Sequence, residues 1–300
     1  MKQTSPSFDV VIPVSKGDVT FMYRVLTQLQ RNLIGTGINY IYILTAKSNF
    51  NRLSYIQKMS NIRLIDENSL LQGLSLNSVR EYIKSQGATN PKRAGWYLQQ
   101  LLKYAFAQTK YAQEYYLSWD ADTLLLKPIE FFKDGHPMFT KKTEYHEPYF
   151  QTMNRLLGLG KTADYSFIAE HMMFCTKIVN ELTDDIMANA TLKGNTWVEK
   201  ILSACNFSQN KNNLFSEFET YGTYCIVRHA GLYDTQNLNT FRCAGFVRGR
   251  NINTNLLLAL KFDHHTASFE LTDCKEAPFP YNITLPFDPT LLIAKLRGYI

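Results

Sequence analysis

Trp119-Asp120-Ala121-Asp122-Thr123 is the stretch of sequence that decides the fold and points to the chemistry. The strand-like run 115–118 leads into it, as expected for a strand that ends at a polar turn. In an extended segment side chains alternate between faces, so the carboxylates of Asp120 and Asp122 point the same way. Paired carboxylates suit Mg²⁺ or Mn²⁺, and such sites commonly join one or two carboxylates to substrate phosphates. The stretch therefore predicts a site that handles a metal ion and a diphosphate.

The sequence before this stretch alternates between strand and helix patterns. Strands are predicted over residues 8–14, 38–45, 62–66 and 115–118, and helices over 19–33, 53–59, part of 70–86, and 95–107. Gly35-Thr36-Gly37 is expected to end the first helix. Alternating strands and helices imply a parallel sheet with right-handed crossovers, whose ligands lie beyond the carboxyl ends of the strands. We therefore expect an α/β fold with a mainly parallel central sheet flanked by helices.

The pattern changes after Pro128. Residues 166–174 predict another strand, 176–190 and 197–204 predict helices, and 215–226 predicts a helix or a loop leading into one. From Phe262 onward the sequence is irregular and rich in proline. No linker composition interrupts the chain, so we expect one compact domain over residues 1–300. Its nucleotide-binding half would cover about 8–128, and its acceptor-side half and C-terminal segment about 129–300.

Composition limits the class of protein. The chain has 300 residues, of which 45% are hydrophobic and 19% charged, enough apolar material for a packed core. The first apolar run, 10–14, is too short for a signal peptide or a membrane span, and no later run reaches spanning length. Five cysteines without a C-x-x-C pair favour free thiols in a reducing compartment over a disulfide framework. We therefore expect a globular, cytoplasmic protein, and the alternative is a luminal protein whose anchor has been removed.

The net charge of +6 is mild. It fits an anionic nucleotide ligand, and it also fits peripheral contact with the anionic inner surface of a membrane. The short clusters Lys141-Lys142 and Arg248-Gly249-Arg250 are typical of a solvated surface, and no dense basic stripe is present. Nucleic acid is therefore not expected as a partner.

Several blocks of sequence, taken in order, resemble a known family. They are Val11-Ile12-Pro13-Val14, Gly95-Trp96-Tyr97-x-Gln99-Gln100-Leu101-Leu102-Lys103, Asp120-Ala121-Asp122, Glu170-His171-Met172 and Phe215-Ser216-Glu217-Phe218-Glu219-Thr220-Tyr221-Gly222. The set resembles nucleotide-sugar glycosyltransferases of the GT-A type, and more narrowly a poorly characterised bacterial family with a GT-A-like, Rossmann-type sandwich. The resemblance covers residues 8 to about 230. It implies metal-dependent transfer of a sugar, from a UDP-sugar as the expected donor, to a glycan or glycolipid of the cell surface such as lipopolysaccharide or capsule.

The resemblance also implies roles for single residues. Asp122 would bind Mn²⁺ or Mg²⁺ directly, and Asp120 would contact the metal through water or contact the donor ribose. GT-A enzymes usually add a histidine near the C-terminal end of the fold, and His264, His265 and His229 are the candidates for that metal ligand. The donor nucleotide would lie along two loops, Pro13-Val14-Ser15-Lys16-Gly17-Asp18 and Thr45-Ala46-Lys47-Ser48.

Sugar transfer with inversion needs a carboxylate that takes the proton of the acceptor hydroxyl. Glu217 is the first choice and Glu219 the second, because Ser216 and Glu219 match a capping box, which explains Glu219 equally well. A charge in the first helical turn would likewise explain Glu217. Glu170 and His171 interrupt an apolar strand, and we expect them either to contact donor sugar or acceptor or to form a hydrogen-bonded edge pair. The available carboxylates slightly favour inversion over retention.

The alternatives to a sugar-transferring metal site at Asp120-Ala121-Asp122 are weaker. A turn at a strand end would account for the aspartates without a metal. A phosphatase of the D-x-D-x-T type requires threonine where Leu124 stands. A nucleotidyltransferase on a similar fold would carry a glycine-rich, basic first loop, which Ser15-Lys16-Gly17-Asp18 matches poorly. That activity, and a non-catalytic module that binds nucleotide sugars, are the alternatives to glycosyl transfer.

Overall fold

A computed structural model describes residues 6–33, 37–208 and 213–276. The chain divides into two compact units, each assembled from separate stretches of sequence. Unit 1 consists of Met1–Lys16, Gly37–Trp119 and Phe131–Asn237, and unit 2 consists of Gly17–Thr36, Asp120–Glu130 and Leu238–Ile300. The expectation of a single domain with two halves that meet near residue 129 stays a prediction.

Strands and helices alternate over the first part of the chain. The strands are β1 (Phe8–Pro13), β2 (Ile38–Thr45), β3 (Ile62–Asp66), β4 (Tyr115–Trp119), β5 (Thr123–Leu125), β6 (Phe132–Lys133), β7 (His136–Thr140), β8 (His171–Cys175), β9 (Asp234–Gln236), β10 (Thr240–Phe241) and β11 (Thr266–Ser268). The α-helices are α1 (Met22–Asn32), α2 (Leu76–Ser85), α3 (Ala94–Ala105), α4 (Glu147–Leu157), α5 (Thr176–Ala188), α6 (Trp197–Ala204), α7 (Glu217–Arg228), α8 (Gly245–Arg248), α9 (Thr254–Asp263) and α10 (Leu271–Glu276).

Unit 1 contains a five-stranded sheet of order β3-β2-β1-β4-β8. The first four strands are parallel, and β8 runs antiparallel to β4, with His171 opposite Trp119. All residues of β1 and β4 are buried, as expected for strands covered on both faces. Helix α3 packs against β1 and α5 against β8. The predicted α/β class, with a mainly parallel central sheet flanked by helices, is confirmed.

The sheet of unit 1 has one edge where functional groups are expected. Because the first four strands are parallel, their carboxyl ends lie at the same edge, and the antiparallel β8 places its amino end there. A smaller sheet of order β6-β7-β9 also belongs to this unit. Polar side chains at the carboxyl edge of a parallel sheet are the usual ligand-binding groups of such folds.

Unit 2 contains a small sheet of order β10-β11-β5. Strand β11 runs parallel to β10 and antiparallel to β5, and the Oγ atoms of Thr123 and Ser268 lie 2.8 Å apart between the strands. Helix α1 packs against β5, where the Asn32 side-chain amide donates to the Leu125 carbonyl at 2.8 Å. The side chains of Phe21 and Phe269 pack together with ring centroids 5.6 Å apart. These contacts fix the segments on either side of Asp120 and Asp122 within the unit.

Three expectations for single segments need correction. The strand predicted over 166–174 is confined to β8, because Ser166 pairs instead with Lys142 in an isolated bridge. The short helix predicted over 53–59 is a 3-10 helix, Asn51–Lys58. The sequence after Phe262 is not wholly irregular, since it forms β11 and α10. Residues 277–300 and most of the expected helix stop at Gly35-Thr36-Gly37 lie outside the described residues.

Within the ranges that the structure describes, no helix combines the length and the apolar character needed to cross a bilayer.

Candidate functional site

The two aspartates form a short turn in unit 2, and not the extended segment that the sequence led us to expect. They follow Trp119, the last residue of β4, and precede β5. The Thr123 N–H donates to the Asp120 carbonyl at 3.1 Å, which closes the turn. The Phe269 N–H donates to the Asp122 carbonyl at 2.9 Å, which ties the turn to the residue after β11. The backbone that carries the carboxylates is therefore held from two sides.

The Asp122 carboxyl group is in an unfavourable electrostatic position. Burial raises its pKa to about 8, with smaller contributions from the neighbouring carboxylates of Asp120, Asp18 and Glu270. Arg250 opposes this shift. Burial and like charges both disfavour the ionised form of a carboxylic acid. Among the described groups that shift this pKa, carboxylates outnumber guanidinium groups. A bound divalent cation would relieve that imbalance.

Asp120 and Asp122 fit a metal that is shared with a substrate. Among residues 6–33, 37–208 and 213–276, no group of three or more His, Cys, Asp or Glu side chains is arranged to hold a metal ion. A Mg²⁺-type site built from one or two carboxylates and substrate phosphates does not need such a group. The donor set thus suits a metal–diphosphate complex, whereas it does not suit a cage made of protein ligands alone.

The candidate histidine ligands have other neighbours in the structure. In unit 2, the His265 ring accepts a hydrogen bond from the Asn239 N–H at 3.2 Å. His264 packs against the Phe241 ring at 5.2 Å, and burial, with Lys127 and His265, lowers its pKa. In unit 1, the His229 ring lies 3.0 Å from the Glu181 carboxylate. The choice of a histidine ligand stays a prediction.

The donor-binding candidates fall in both units. In unit 1, one group of candidates lies at the end of β1 or just after it and consists of Pro13, Val14 and Ser15. A second group follows β2 and consists of Ala46 and Lys47. The structure brings these two loops together, because the Thr45 hydroxyl donates to the Val14 carbonyl at 2.7 Å. Asp18 and Asp120 belong to unit 2. There the Asp18 carboxylate accepts a hydrogen bond from Arg250 at 2.5 Å.

Glu217, the first choice for the base, lies in a buried ion pair of unit 1. Its carboxylate is 2.5 Å from the Lys103 ammonium, and both side chains are only 5% exposed. The Glu217 N–H donates to the Gln100 side chain at 3.2 Å, and the Tyr104 hydroxyl donates to the Glu217 carbonyl at 2.6 Å. These contacts explain the residue as a link between α3 and α7. Its catalytic role stays a prediction.

Glu219 is also engaged within unit 1. The Ser216 hydroxyl accepts from the Glu219 N–H at 3.2 Å, so Ser216 is the predicted N-cap, but the Glu219 carboxylate does not return to the Ser216 N–H and the predicted capping box is incomplete. The Glu219 carboxylate accepts from the Phe167 N–H at 2.8 Å and lies 3.7 Å from Lys161. Burial raises the pKa of Glu219, and the hydrogen bond from Phe167 and the charge of Lys161 offset only part of this shift. The carboxylate therefore fixes the irregular segment before β8, and a catalytic role stays a prediction.

Glu170 differs from the other two glutamates. It directly precedes β8, at the carboxyl edge of the parallel strands of unit 1. One carboxylate oxygen accepts from Lys142 at 2.9 Å, and the side chains of Glu170 and Lys142 are 5% and 9% exposed. The other oxygen, Oε2, is buried without a hydrogen-bond partner among the described residues. A buried carboxylate oxygen without a partner in a native fold calls for an explanation, and a bound ligand is one.

His171 has the surroundings of a core histidine. Its ring stacks on Trp119 with centroids 5.2 Å apart, and its Nε2 lies 2.9 Å from the Thr140 hydroxyl. Burial, assisted by Lys142, lowers its pKa to about 3. A histidine with so low a pKa is a weak proton acceptor near neutral pH. The geometry favours a structural role, and the assignment of His171 to the site stays a prediction.

Acidification is expected to destabilise the protein through His171. Because the pKa of His171 is about 3 in the folded state, protons bind preferentially to the unfolded chain between that value and about 6.5. Stability is therefore lost as pH falls below about 6.5, by about 3 kcal/mol at pH 4.5. Urea unfolding at pH 7 and pH 4.5 should show a smaller loss for His171→Gln than for the wild type. His136→Gln, at an exposed histidine, should lose as much stability between pH 7 and pH 4.5 as the wild type. Equal losses of stability in all three proteins would contradict the low pKa of His171.

Comparison with known proteins identifies the family. The family model described as "Family of unknown function (DUF6492)" matches residues 10–245. The chain belongs to this family. No curated protein matches this DUF6492 chain.

Several solved structures are similar to this DUF6492 chain. Galactosyltransferase LgtC, crystallised with donor and acceptor sugar analogs, is 12% identical, with a TM-score of 0.42 and coverage of 98% of this chain and 96% of LgtC. Mouse xyloside xylosyltransferase 1, in its apo form, is 10% identical, with a TM-score of 0.48 and coverage of 92% and 100%. The bifunctional glycosyltransferase WbbM is 13% identical, with a TM-score of 0.43 and coverage of 88% and 45%. Similarities at this level assign no activity to this chain.

Three residues that neighbour the candidate carboxylates are not revealed by sequence patterns. Arg250 and Lys142 are predicted to lie on a solvated surface, but their side chains are only 8% and 9% exposed. Their burial follows from ion pairs with carboxylates distant in sequence. Glu270, a neighbour of Asp122, belongs to no motif. In the sequence, Arg250 and Lys142 each belong to a short basic cluster. Such a cluster does not indicate whether a given basic side chain is buried or exposed.

Proposed function

We propose that the chain is a metal-dependent glycosyltransferase that uses a nucleotide-sugar donor, with a UDP-sugar as the expected one. The observation that carries this proposal is the half-buried Asp122 carboxyl group of unit 2, whose pKa is raised by burial and then by the neighbouring carboxylates of Asp120, Asp18 and Glu270. Such a group is costly to keep charged unless a cation is bound. A nucleoside diphosphate brings a divalent cation with it, and paired carboxylates are suitable ligands for that cation.

The metal, when bound, would neutralise the negative charge of the leaving diphosphate. Asp122 and Asp120 would hold it, with Mn²⁺ or Mg²⁺ as the expected ion. In unit 1, the loops after β1 and β2 would bind the nucleotide through Ser15 and Lys47, which are not buried. These assignments follow the residues expected from the sequence.

Glu170 is our preferred base for the acceptor hydroxyl. Its Oε2 is buried and has no hydrogen-bond partner among the described residues, so this oxygen can accept a proton. Lys142, at 2.9 Å, fixes the other oxygen in place. Glu217 has a buried lysine partner and backbone contacts that explain it as a structural residue. A carboxylate base is what transfer with inversion requires.

The biological setting is part of the same proposal. The acceptor would be a cell-surface glycan or glycolipid, and the protein would work in the cytoplasm with peripheral contact to the inner surface of the membrane. Transfer of a nucleotidyl group, and binding of nucleotide sugars without turnover, are the competing functions. The first predicts a preference for nucleoside triphosphates over nucleotide sugars, and the second predicts binding without product.

A ligand screen tests the proposed function. The thermal midpoint of the protein should rise with a nucleotide sugar plus Mn²⁺ by more than with either alone, because a ligand that binds the native state stabilises it. A ligand at about a hundred times its dissociation constant adds about 2.7 kcal/mol. The stabilising donor should then release its nucleoside diphosphate in an assay with glycan acceptors. Stabilisation by triphosphates alone would favour nucleotidyl transfer, and no stabilisation by any nucleotide sugar would contradict the proposal.

A further inference from the structure

Arg250 makes an unusual set of contacts within unit 2. It lies in the segment between α8 and α9. Its Nε donates to the Phe269 carbonyl at 2.9 Å, its Nη1 to the Gly17 carbonyl at 3.2 Å, and its Nη2 to the Asp18 carboxylate at 2.5 Å. One guanidinium group therefore joins the loop that begins at Gly17 to the segment after β11.

The same guanidinium is held by packing. Its central carbon lies 4.7 Å from the centroid of the Phe21 ring, which in turn packs against Phe269. The Arg250 and Asp18 side chains are 8% and 12% exposed. A planar guanidinium with several fixed acceptors and an aromatic face holds its partners in one geometry, which a flexible ammonium group does not do.

The two joined segments carry neighbours of Asp122. Asp18 and Glu270 both interact electrostatically with the Asp122 carboxyl group. Glu270 directly follows Phe269, whose carbonyl accepts from Arg250 and whose N–H donates to the Asp122 carbonyl at 2.9 Å. Phe269 thus connects Arg250 to the Asp120–Asp122 turn through its own peptide groups.

We propose that Arg250 is a positioning residue for the metal, because it holds Asp18 and the Phe269–Glu270 segment in place beside the Asp120–Asp122 turn. This inference rests on the proposed function and deepens it. The arginine acts through the segments it joins and not by touching the metal. Its removal therefore weakens metal binding by loosening the carboxylates and the backbone that supports them.

Simple electrostatics makes the opposite prediction. A positive charge close to a metal site repels the metal ion. An arginine that only competed with the metal for the carboxylates would therefore weaken metal binding. Neutralising such a residue would strengthen metal binding. The sign of the change in metal affinity therefore separates a positioning role from a competing one, and a purely structural role would leave the affinity of the folded protein unchanged.

Titration with Mn²⁺, first alone and then in the presence of UDP, tests the inference, with the electron paramagnetic resonance signal of free Mn²⁺ as the readout. Arg250→Gln should raise the dissociation constant about tenfold or more, the usual effect of removing a residue that orients metal ligands. Arg250→Lys should fall between this variant and the wild type, since an ammonium group keeps the charge but cannot serve all three acceptors together. Circular dichroism would establish that each variant is folded.

Arg242→Gln is a matched control. Arg242 also belongs to unit 2 and lies 3.9 Å from the Glu270 carboxylate, but the two side chains are 38% and 44% exposed. A surface pair of this kind holds its partner weakly. Its removal takes away one positive charge near the same segment, so Mn²⁺ affinity should stay the same or rise slightly.

The outcomes separate the two proposals. Equal or tighter Mn²⁺ binding by Arg250→Gln would overturn the positioning role while leaving the proposed function intact. Should that variant fail to fold, Arg250→Lys decides, and wild-type or tighter binding by it would overturn the role. Absence of Mn²⁺ binding by the wild type both with and without UDP would contradict the metal-dependent function itself, and this inference would fall with it.

Discussion

Replacement of Asp122 with asparagine is expected to remove metal-dependent sugar transfer and, at the same time, to stabilise the metal-free protein. Transfer should fall by about a hundredfold or more, since a charge that acts on the reacting groups is lost. The stabilisation by Mn²⁺ should disappear with it. Both effects have the same cause, because the half-buried carboxylate that would attract the cation is costly to the fold when no cation is bound.

The sign of the stability change follows from the pKa of Asp122. The folded state raises this pKa to about 8 from an ordinary value of 3.8. Between these values the folded protein binds the proton more tightly than the unfolded chain, so stability falls as pH rises from about 4 to about 8. Asparagine cannot ionise, and the metal-free variant should therefore be more stable than the wild type at pH 8.5, by roughly a few kcal/mol.

Urea unfolding of the metal-free proteins at pH 5 and pH 8.5 measures this effect. The wild type should lose stability across that interval relative to Asp122→Asn. Asp184→Asn, at an exposed position of α5, should behave as the wild type. Wild-type transfer and an intact Mn²⁺ response in Asp122→Asn would remove the basis of the proposed function.

Local patterns are sufficient to predict much of the sheet. Strands β2 and β3 and helix α6 occupy the residues expected from their apolar periodicity, because each of them buries a face that the pattern already displays. The run 166–170 has the apolar residues of a buried strand, but its backbone forms hydrogen bonds elsewhere. The Phe167 N–H donates to Glu219, which lies far along the chain. A pattern that indicates burial does not specify the hydrogen-bond partner.

The candidate site is predictable in its centre and not in its surroundings. A strand that ends in a polar turn locates Asp120 and Asp122 in the sequence. Arg250 reaches Asp18 across 232 positions of sequence, and no local pattern encodes such a contact. The same limit applies to the choice among the glutamates, since a lysine partner or an unpartnered oxygen is a tertiary property.

Disruption of either buried lysine–glutamate pair of unit 1 is expected to lower stability by a similar amount. The two pairs are expected to differ in their effect on activity. Removing either Glu217 or Glu170 alone takes the carboxylate away from a buried ammonium group, which should cost about 3–5 kcal/mol of stability. Replacing both members by apolar residues of similar volume should recover most of that loss. Lys103→Met with Glu217→Leu and Lys142→Met with Glu170→Leu are therefore matched double variants, and urea unfolding measures their stabilities.

Activity then separates the structural glutamate from the proposed base. The Lys103→Met, Glu217→Leu protein should be folded and should transfer sugar at a rate close to that of the wild type, because Glu217 serves the contact between α3 and α7. The Lys142→Met, Glu170→Leu protein should be folded but slower by about a hundredfold to ten-thousandfold, the usual contribution of a general base. The reverse result, with transfer lost in the first protein and kept in the second, would return the base to Glu217. Because the two pairs are otherwise similar in burial, and Glu170 carries the unpartnered Oε2, the comparison tests whether that oxygen takes part in the transfer.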